Sequence, residues 1–210
     1  MLYRLSHQLT LRSRWRPHLP RTGERVLVLR TAQVFPPAHP TTRLCLDLLR
    51  EYVEAEGPAA PVRVLDLGCG SGVLLLAAAA LGLKPGLGVD LSRRAVLVSR
   101  DNARANGLAG AVHLVQGSSH CLRGPFDLIL ANLPFTVQLE LAAELVRLAE
   151  PRGRLILSGF KDIQAAELEA RYRQASWRPT RRLLREEWVI ELPPDRGFTW
   201  VGWRLEPITG

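Results

Sequence analysis

Lysine is nearly absent from this chain, since Lys84 and Lys161 are the two lysines among its 28 basic residues. Arginine therefore carries almost all of the positive charge, and 20 acidic residues leave a net charge of +8. Such an excess favours an acidic protein or a nucleic acid as a partner, because long-range electrostatics attract polyanions. Genome base composition produces the same arginine bias, so the charge by itself is a weak guide to the substrate.

Cysteine is scarce as well, and Cys45, Cys69 and Cys121 form neither a CxxC pair nor a histidine-spaced pattern. This set excludes a disulfide framework and a zinc site, and it predicts no metal ion and a reducing, cytoplasmic compartment. Long apolar runs are also lacking: the longest, Val73 to Leu83, has about half of the roughly 18 residues that a bilayer requires. We therefore expect no contact with a membrane.

The 210 residues suffice for one α/β domain, and a hydrophobic content of 47% excludes disorder over most of the length. The first 34 residues differ from the rest because five arginines precede the first acid, Glu24. We predict that residues 1–34 form a basic, loosely packed arm with a short strand, "RVLVLR", and that residues 35–210 form the main domain. A faint similarity to a mitochondrial transit segment leaves targeting as an alternative.

Short apolar blocks then alternate with amphipathic stretches, which is typical of strands that alternate with helices. The predicted strands are "RVLDL", "GLGVDL", "AVHLV", "FDLILAN" and "GRLILSGF", and a helix that begins at the threonines of "HPTT" precedes them. Two more strand-like segments, "REEWVIEL" and "FTWVGWRL", are joined by the turn-rich "PPDRG". This order predicts an α/β fold: a Rossmann-like, doubly wound, mainly parallel seven-stranded sheet that ends in an antiparallel hairpin.

The turn after the first of these strands, "DLGCGSG", contains Gly68, Gly70 and Gly72. Glycines at this position let the backbone turn tightly and approach a nucleotide-like ligand. Asp90 ends the next strand, where its carboxylate can accept hydrogen bonds from both hydroxyls of a ribose. The pattern predicts a nucleotide-like cofactor, although the turn does not separate a dinucleotide from S-adenosylmethionine.

Two features favour S-adenosylmethionine. Asp66 places a second carboxylate where an α-ammonium group could be held and where a pyrophosphate would be repelled. In "ANLPF", the Asn132 side chain and the Leu133 carbonyl, constrained by Pro134, can accept both hydrogen bonds of a substrate amino group, and Phe135 offers a face to a planar neighbour. Catalysis then consists mostly of alignment for in-line displacement at a methyl carbon.

With these motifs the chain resembles class I S-adenosylmethionine-dependent methyltransferases, and more narrowly the PrmA family, which methylates amino groups of a large-subunit ribosomal protein. The resemblance runs from about Phe35 to Leu192. It rests on "HPTTRLCLDLL", "VLDLGCGSG", "GVDLSRRAVLVSRDNARANG", "FDLILAN", "GRLILSGF" and "REEWV". "HPTT" is the rarer motif, since all class I members share the glycine turn.

The resemblance implies cofactor contacts at Thr42, Gly68, Asp90 and Asn132. From the residues alone, Thr42 would instead belong to a helix cap near residue 41 or 42. In "QGSSH" many relatives have an acid that accepts from the adenine amino group, and Ser118 is expected to serve here. His39 is interpreted as a hydrogen-bonded structural histidine, with proton transfer from an ammonium substrate as the alternative.

Three departures from the family leave the substrate open. "VFPPA" replaces a glycine-rich approach to "HPTT", "NLPF" is similar to the loop of enzymes that methylate adenine or glutamine amides, and only some 35 residues precede the match where the family has a recognition domain. We expect an N-methyltransferase that uses S-adenosylmethionine on an amino group of a protein, ribosomal or similar. The alternatives are an RNA adenine N-methyltransferase, a small-molecule methyltransferase and a non-catalytic cofactor-binding module.

Overall fold

The computed structural model of the protein describes residues 1–30, 35–57, 62–187 and 198–208. Five α-helices, ten strands and a short 3-10 turn at Ser119–Cys121 lie within these ranges. The helices are α1 Pro40–Glu56, α2 Val73–Ala80, α3 Arg93–Ala105, α4 Phe135–Leu148 and α5 Asp162–Gln174. The strands are β1 Leu2–Arg4, β2 Leu9–Ser13, β3 Arg25–Leu29, β4 Val64–Leu67, β5 Gly86–Asp90, β6 Val112–Gln116, β7 Phe126–Asn132, β8 Ala149–Lys161, β9 Trp177–Glu187 and β10 Phe198–Pro207.

Strands β4 to β10 form the main sheet of the described residues, in the order β6-β5-β4-β7-β8-β10-β9. Strands β4 to β8 run parallel, and β10 pairs antiparallel with both β8 and β9. The predicted fold class is therefore confirmed. Because the strand order reverses between β4 and β7, the carboxyl ends of these strands open the crevice in which α/β sheets bind ligands.

Alternate residues of the central strands enter two separate apolar clusters. Leu128 and Leu130 of β7 face the cluster that contains α1 and α2, whereas Ile129 and Ala131 face the cluster that contains α4 and α5. A strand that is buried on both faces has no polar positions, and this is why its sequence reads as a continuous apolar block. Helices on both faces complete a three-layer arrangement.

The amino-terminal residues differ from the loosely packed arm that the composition predicts. They form a second sheet in which β1 pairs antiparallel with β2 and β2 pairs parallel with β3. Leu9 and Leu11 of β2 and Leu27 and Leu29 of β3 are buried in the same cluster as α1 and α2. Alternating leucines in "LTLRS" and "RVLVL" are the period-2 signal of these strands, and the surrounding arginines concealed it.

Two asparagines of α3 attach β3 to the main domain. The Asn106 amide accepts from the Val28 N–H at 2.8 Å and donates to the Val28 carbonyl at 2.9 Å. One helical turn earlier, the Asn102 amide makes the same pair of bonds with Arg30, both at 2.9 Å. Side chains four residues apart on a helix match the spacing of alternate strand residues, so α3 supplies the edge of β3 with hydrogen bonds that another strand would otherwise provide.

Several predicted boundaries are corrected. Helix α1 is capped by His39, whose side chain accepts from the Thr41 N–H, and not by a threonine. Helix α4 ends at Leu148 and β8 begins at Ala149, so the helix does not continue to Pro151. Strand β9 covers "WRPTRRLLREE", which was not predicted as a strand. The predicted turn "PPDRG" and the end of "REEWVIEL" lie outside the described residues.

We expect Leu11→Ala to lower the free energy of unfolding by about 2–5 kcal/mol, since it removes buried methyl groups from a core shared with α1 and α2. Leu19→Ala is the matched control: Leu19 is 92% exposed, so its loss should change stability by less than about 0.5 kcal/mol. Urea unfolding of the full chain measures both. Equal, small effects would show that the amino-terminal sheet adds nothing to the core.

Candidate active site

The glycine turn between β4 and α2 has a left-handed backbone at each of its three glycines, with φ of 74° at Gly68, 55° at Gly70 and 77° at Gly72. The N–H groups of Gly68 and Cys69 donate to the Val89 carbonyl on β5, at 2.8 and 3.1 Å. A Cβ atom on Gly68 would lie 2.5 Å from Leu133 Cδ2. The turn thus needs glycine for its conformation, and Gly68 needs it also for space.

Asp90 lies at the carboxyl end of β5 and faces this turn. Its carboxylate accepts from the Gly70 N–H at 2.9 Å and from the Ser92 N–H at 2.8 Å. A carboxylate has about four acceptor positions, so two bonds orient the group and leave capacity for a ligand. This geometry fits the predicted pair of ribose hydroxyls.

Asp66 has a different position from the one predicted. Its side chain is 1% exposed and accepts from the Leu75 N–H at 3.1 Å. Leu75 is in the first turn of α2, where Gly72 has no side chain to cap the helix. The carboxylate thus serves as the missing cap beneath the turn, and it does not line the cavity described next. Burial raises its pKa to about 7, and the nearby Asp90 raises it further.

A cavity of about 840 Å³ opens at the carboxyl ends of β4, β5 and β7. The predicted residues that line it are Gly68, Gly70, Asp90, Ser118, Asn132, Leu133 and Pro134. Four predicted residues, namely Thr42, Asp66, Gly72 and Phe135, are not among the lining residues. The ring of Phe135 instead packs against the cluster under α4 and α5, so the expected stacking face is not presented to the cavity.

Asn132 ends β7 and is held by α1. Its Nδ2 donates to Thr42 Oγ1 at 3.2 Å, while its Oδ1 is buried and has no hydrogen-bond partner among the described residues. Thr42 therefore positions Asn132, and the neighbouring Thr41 lines the cavity. An unpaired buried acceptor costs about 1–3 kcal/mol, which a ligand N–H group would offset.

The Leu133 carbonyl already has a partner, which the sequence did not indicate. Gln138, on the first turn of α4, donates from Nε2 to Leu133 O at 2.6 Å and to Ser158 O at 2.8 Å. A Cβ atom at Gly159 would overlap the same Leu133 peptide. The loop after β7 is therefore fixed from two sides, and the Leu133 carbonyl retains one further lone pair.

At the far end of the cavity, Ser119 replaces the expected Ser118 as the notable hydroxyl. Ser119 is 2% exposed, and its Oγ has no partner among the described residues. Ser118 also lines the cavity, but its Oγ lies 3.5 Å from His120 Nδ1. Leu91 follows Asp90 and is 75% exposed, which leaves an apolar face beside these two serines.

The comparisons with known proteins agree with this geometry. The family model described as "Ribosomal protein L11 methyltransferase (PrmA)" matches residues 3–192, so the match begins well before Phe35 and includes the amino-terminal sheet. The chain belongs to the ribosomal protein L11 methyltransferase family. Within the described ranges, none of the PrmA-family chain's helices has the length and apolar character to cross a membrane.

Individual relatives support the same assignment. The ribosomal protein L11 methyltransferase of Syntrophotalea carbinolica is 41% identical over 160 residues, which are 76% of this chain and 52% of the relative. The chain thus spans about half the length of the curated relatives it matches. A crystal structure of the ribosomal protein L11 methylase from Lactobacillus delbrueckii subsp. bulgaricus has a TM-score of 0.79 at 25% identity, with 99% of this chain and 98% of that chain covered. The [4+2]-cyclase SpnF has a TM-score of 0.64 at 19% identity, covering 80% and 82%, and shares the fold alone.

The opposite wall of this PrmA-family cavity is aromatic. The ring centroid of His39 lies 4.9 Å from that of Phe35 and 5.1 Å from that of Trp200, and all three residues line the cavity. Trp200 Nε1 donates to a Glu187 carboxylate oxygen at 2.5 Å. Together these residues form an apolar, electron-rich surface with an acid behind it.

His39 is a structural residue in this wall. Its Nδ1 accepts from the Thr41 N–H at 3.3 Å and lies 2.8 Å from Thr41 Oγ1, so the proton of the neutral ring is on Nε2. Burial lowers the pKa of the imidazole, although Glu187 opposes this shift. The nitrogen that could accept a proton is thus occupied by the helix cap, and this supports the structural interpretation over proton transfer.

We expect Asp66→Asn to change the pH dependence of stability. Because the folded-state pKa of Asp66 is raised to about 7 and that of the unfolded chain is about 3.9, the native protein retains this proton over the interval and loses stability as pH rises from about 4 to 7. Asparagine keeps an acceptor for the Leu75 N–H but has no charge to bury. Relative to wild type, the variant should therefore gain on the order of 1–3 kcal/mol between pH 5 and pH 8.

Urea unfolding across this pH range measures the difference. The control is Asp101→Asn, an exposed acid on α3, whose profile should run parallel to that of wild type. A parallel profile for Asp66→Asn as well would contradict the assignment of a buried, neutral carboxyl group.

Proposed function

We propose that the protein is an S-adenosylmethionine-dependent N-methyltransferase that acts on an amino group of a protein. The observation that carries this proposal is the unpaired Asn132 Oδ1, an acceptor held by Thr42 beside the glycine turn. An amino group that donates to this oxygen would have its nitrogen fixed at the end of β7, opposite the cofactor side of the cavity. The names of the relatives, all ribosomal protein L11 methyltransferases, support a protein acceptor.

The described residues fit an adenosyl group. Asp90 has acceptor capacity for ribose hydroxyls, Leu91 offers an apolar face to a base, and the buried Ser119 Oγ lacks a partner that an exocyclic amine could provide. The glycines leave the backbone open where a methionine moiety would lie. The cavity volume of about 840 Å³ is within the range of about 300–1,000 Å³ that is usual for ligand sites.

Bound S-adenosylmethionine would supply an electrophilic methyl group on its sulfonium. The residues of the chain then have to bind, orient and desolvate the acceptor nitrogen. Asn132 Oδ1, with the second lone pair of the Leu133 carbonyl, would hold N–H groups so that the nitrogen lone pair points into the cavity. Gln138 and Gly159 keep this loop in place, and Thr42 keeps the asparagine in place.

The aromatic wall favours an alkylamine over an adenine. Phe35, His39 and Trp200 present ring surfaces that stabilise a cationic or methylated ammonium by cation–π attraction, and Glu187 adds negative charge nearby. Adenine would need a stacking partner on the loop after β7, and Phe135 packs into the core instead. We therefore propose a lysine side chain or an amino terminus as the acceptor.

Two substitutions separate cofactor binding from transfer. Asn132→Ala should reduce methyl transfer at least about 100-fold, as loss of a group that acts on the reacting atoms does, and should leave the Kd for S-adenosylmethionine within about twofold. Asp90→Ala should instead raise that Kd by about 10- to 100-fold, because charge-assisted hydrogen bonds to the ribose are lost. Calorimetry measures binding, and labelled methyl donor with purified ribosomal protein L11 measures transfer.

The outcomes discriminate among the candidate functions. Undiminished affinity in Asp90→Ala would overturn the cofactor assignment. Tight cofactor binding without label on L11 or on any protease-sensitive fraction of a lysate would favour a non-catalytic module, and label lost only to ribonuclease would favour RNA. The exposed acid Asp101, replaced by alanine, is the control for both assays.

The pH dependence of transfer identifies the acceptor. An ammonium has to lose its proton to solvent before its nitrogen can attack, so the rate with a lysine acceptor should rise with pH through an apparent pKa that desolvation lowers. Single-turnover rates at saturating cofactor between pH 6 and pH 10 give this profile. A flat profile would contradict an ammonium acceptor and favour an amide or an adenine amine.

A further inference from the structure

A second functional surface lies outside the cavity, on the loop between β2 and β3. Its side chains Arg14, Trp15, Arg16, Leu19 and Arg21 are exposed, Trp15 to 85% and Leu19 to 92%. An exposed indole among arginines is unusual, because large apolar groups on a monomer surface are seldom presented together with unpaired charge. We call residues 14–25 the arginine–tryptophan loop.

The positive charge of this loop is uncompensated. Arginines elsewhere form ion pairs, such as Arg181 with Glu51 and Arg185 with Asp47. Among the described residues, no acid pairs with the guanidinium groups of Arg14, Arg16, Arg21 or Arg25. The one acid within residues 1–30 is Glu24, whose side chain is fully covered.

The loop is held in a defined conformation while its side chains point outward. Glu24 accepts from the Thr10 hydroxyl and from the Arg21 N–H at 2.8 Å, and it pairs with His18 at 3.1 Å. Arg12 Nη1 donates to the carbonyls of Arg14 at 3.2 Å and Arg16 at 3.0 Å. The internal acid and one inward arginine thus organise the backbone, so that binding a ligand would cost little ordering entropy.

Trp15 is arranged for stacking. The Arg14 guanidinium lies 5.3 Å from the centre of the Trp15 ring, so a cation covers the indole on one side. The ring remains largely exposed to a planar ligand. Bases of single-stranded nucleic acids stack on such rings, and neighbouring guanidinium groups bind the phosphates bidentately.

The loop is also connected to the active site. The Arg14 N–H donates to the Leu29 carbonyl at 3.3 Å, which places Arg14 beside the end of β3 and Arg30. Asn102 bonds to Arg30 and at the same time donates from Nδ2 to Ser71 O, in the glycine turn, at 2.8 Å. The arginine–tryptophan loop and the cavity therefore belong to one hydrogen-bonded side of the molecule.

We propose that the arginine–tryptophan loop is a docking surface for single-stranded nucleic acid. An anionic membrane fits less well, since the loop offers two large apolar side chains and no apolar helix face to insert. An acidic peptide would pair with the arginines but would leave the indole without a planar partner. The inference does not depend on methyl transfer, because binding is measured without the cofactor.

The experiment is fluorescence anisotropy of a labelled 15-nucleotide RNA with the full chain, at 50 and 200 mM salt. Trp15→Ala should weaken binding by about 5- to 100-fold, which corresponds to one lost base stack. Arg14→Ala with Arg16→Ala should weaken binding and lower the salt slope by about two, one for each phosphate contact. Arg178→Ala, an exposed arginine on β9, is the matched control and should bind like wild type.

Several results would overturn the inference. These are wild-type affinity in Trp15→Ala, an equal loss in Arg178→Ala, or binding to phosphatidylserine vesicles or polyglutamate with none to RNA. A single-stranded DNA of the same length is run in parallel: binding to both strands supports readout of stacking and phosphate, and stronger binding to RNA supports an RNA partner. Thermal melts of each variant confirm that these surface changes leave the fold intact.

Discussion

Two carboxylates hold the glycine turn between β4 and α2, and the rest of the active site depends on this arrangement. Asp66 bonds to the first turn of α2 from below, and Asp90 bonds to the Gly70 N–H from the next strand. The left-handed backbone at Gly72 leaves the helix without a capping side chain. An acid from the strand has to replace it, so β4, α2 and β5 are fixed as one unit around a backbone free of side chains.

Much of the fold follows from local sequence because burial leaves a strong pattern. Strands β4, β5 and β7 are covered on both faces, and their apolar blocks indicated them directly. Strand β9 is an edge strand with exposed arginines, and its polar sequence gives no such signal. The amino-terminal strands alternate leucines correctly, but they are short, and their partner edge on α3 is more than 70 residues away in the chain.

The candidate site was predictable to the level of motifs and not of individual contacts. Glycines and an acid at strand ends identify a cofactor site from spacing alone, since the topology brings them together. Which of two adjacent residues faces the cavity depends on how a helix or turn is rotated, and sequence does not encode that locally. The exchanged roles of Thr41 and Thr42, and of Ser118 and Ser119, both have this origin.

The charge of the protein is divided between two kinds of surface. On α1 and β9, arginines face acids, so their charges are neutralised and stabilise packing between elements. On the arginine–tryptophan loop the one acid points inward, and the arginines remain available. Overall net charge cannot distinguish these situations, because paired and unpaired arginines count equally. The scarcity of lysine therefore carries little information, whereas the position of Glu24 within residues 1–30 carries a great deal.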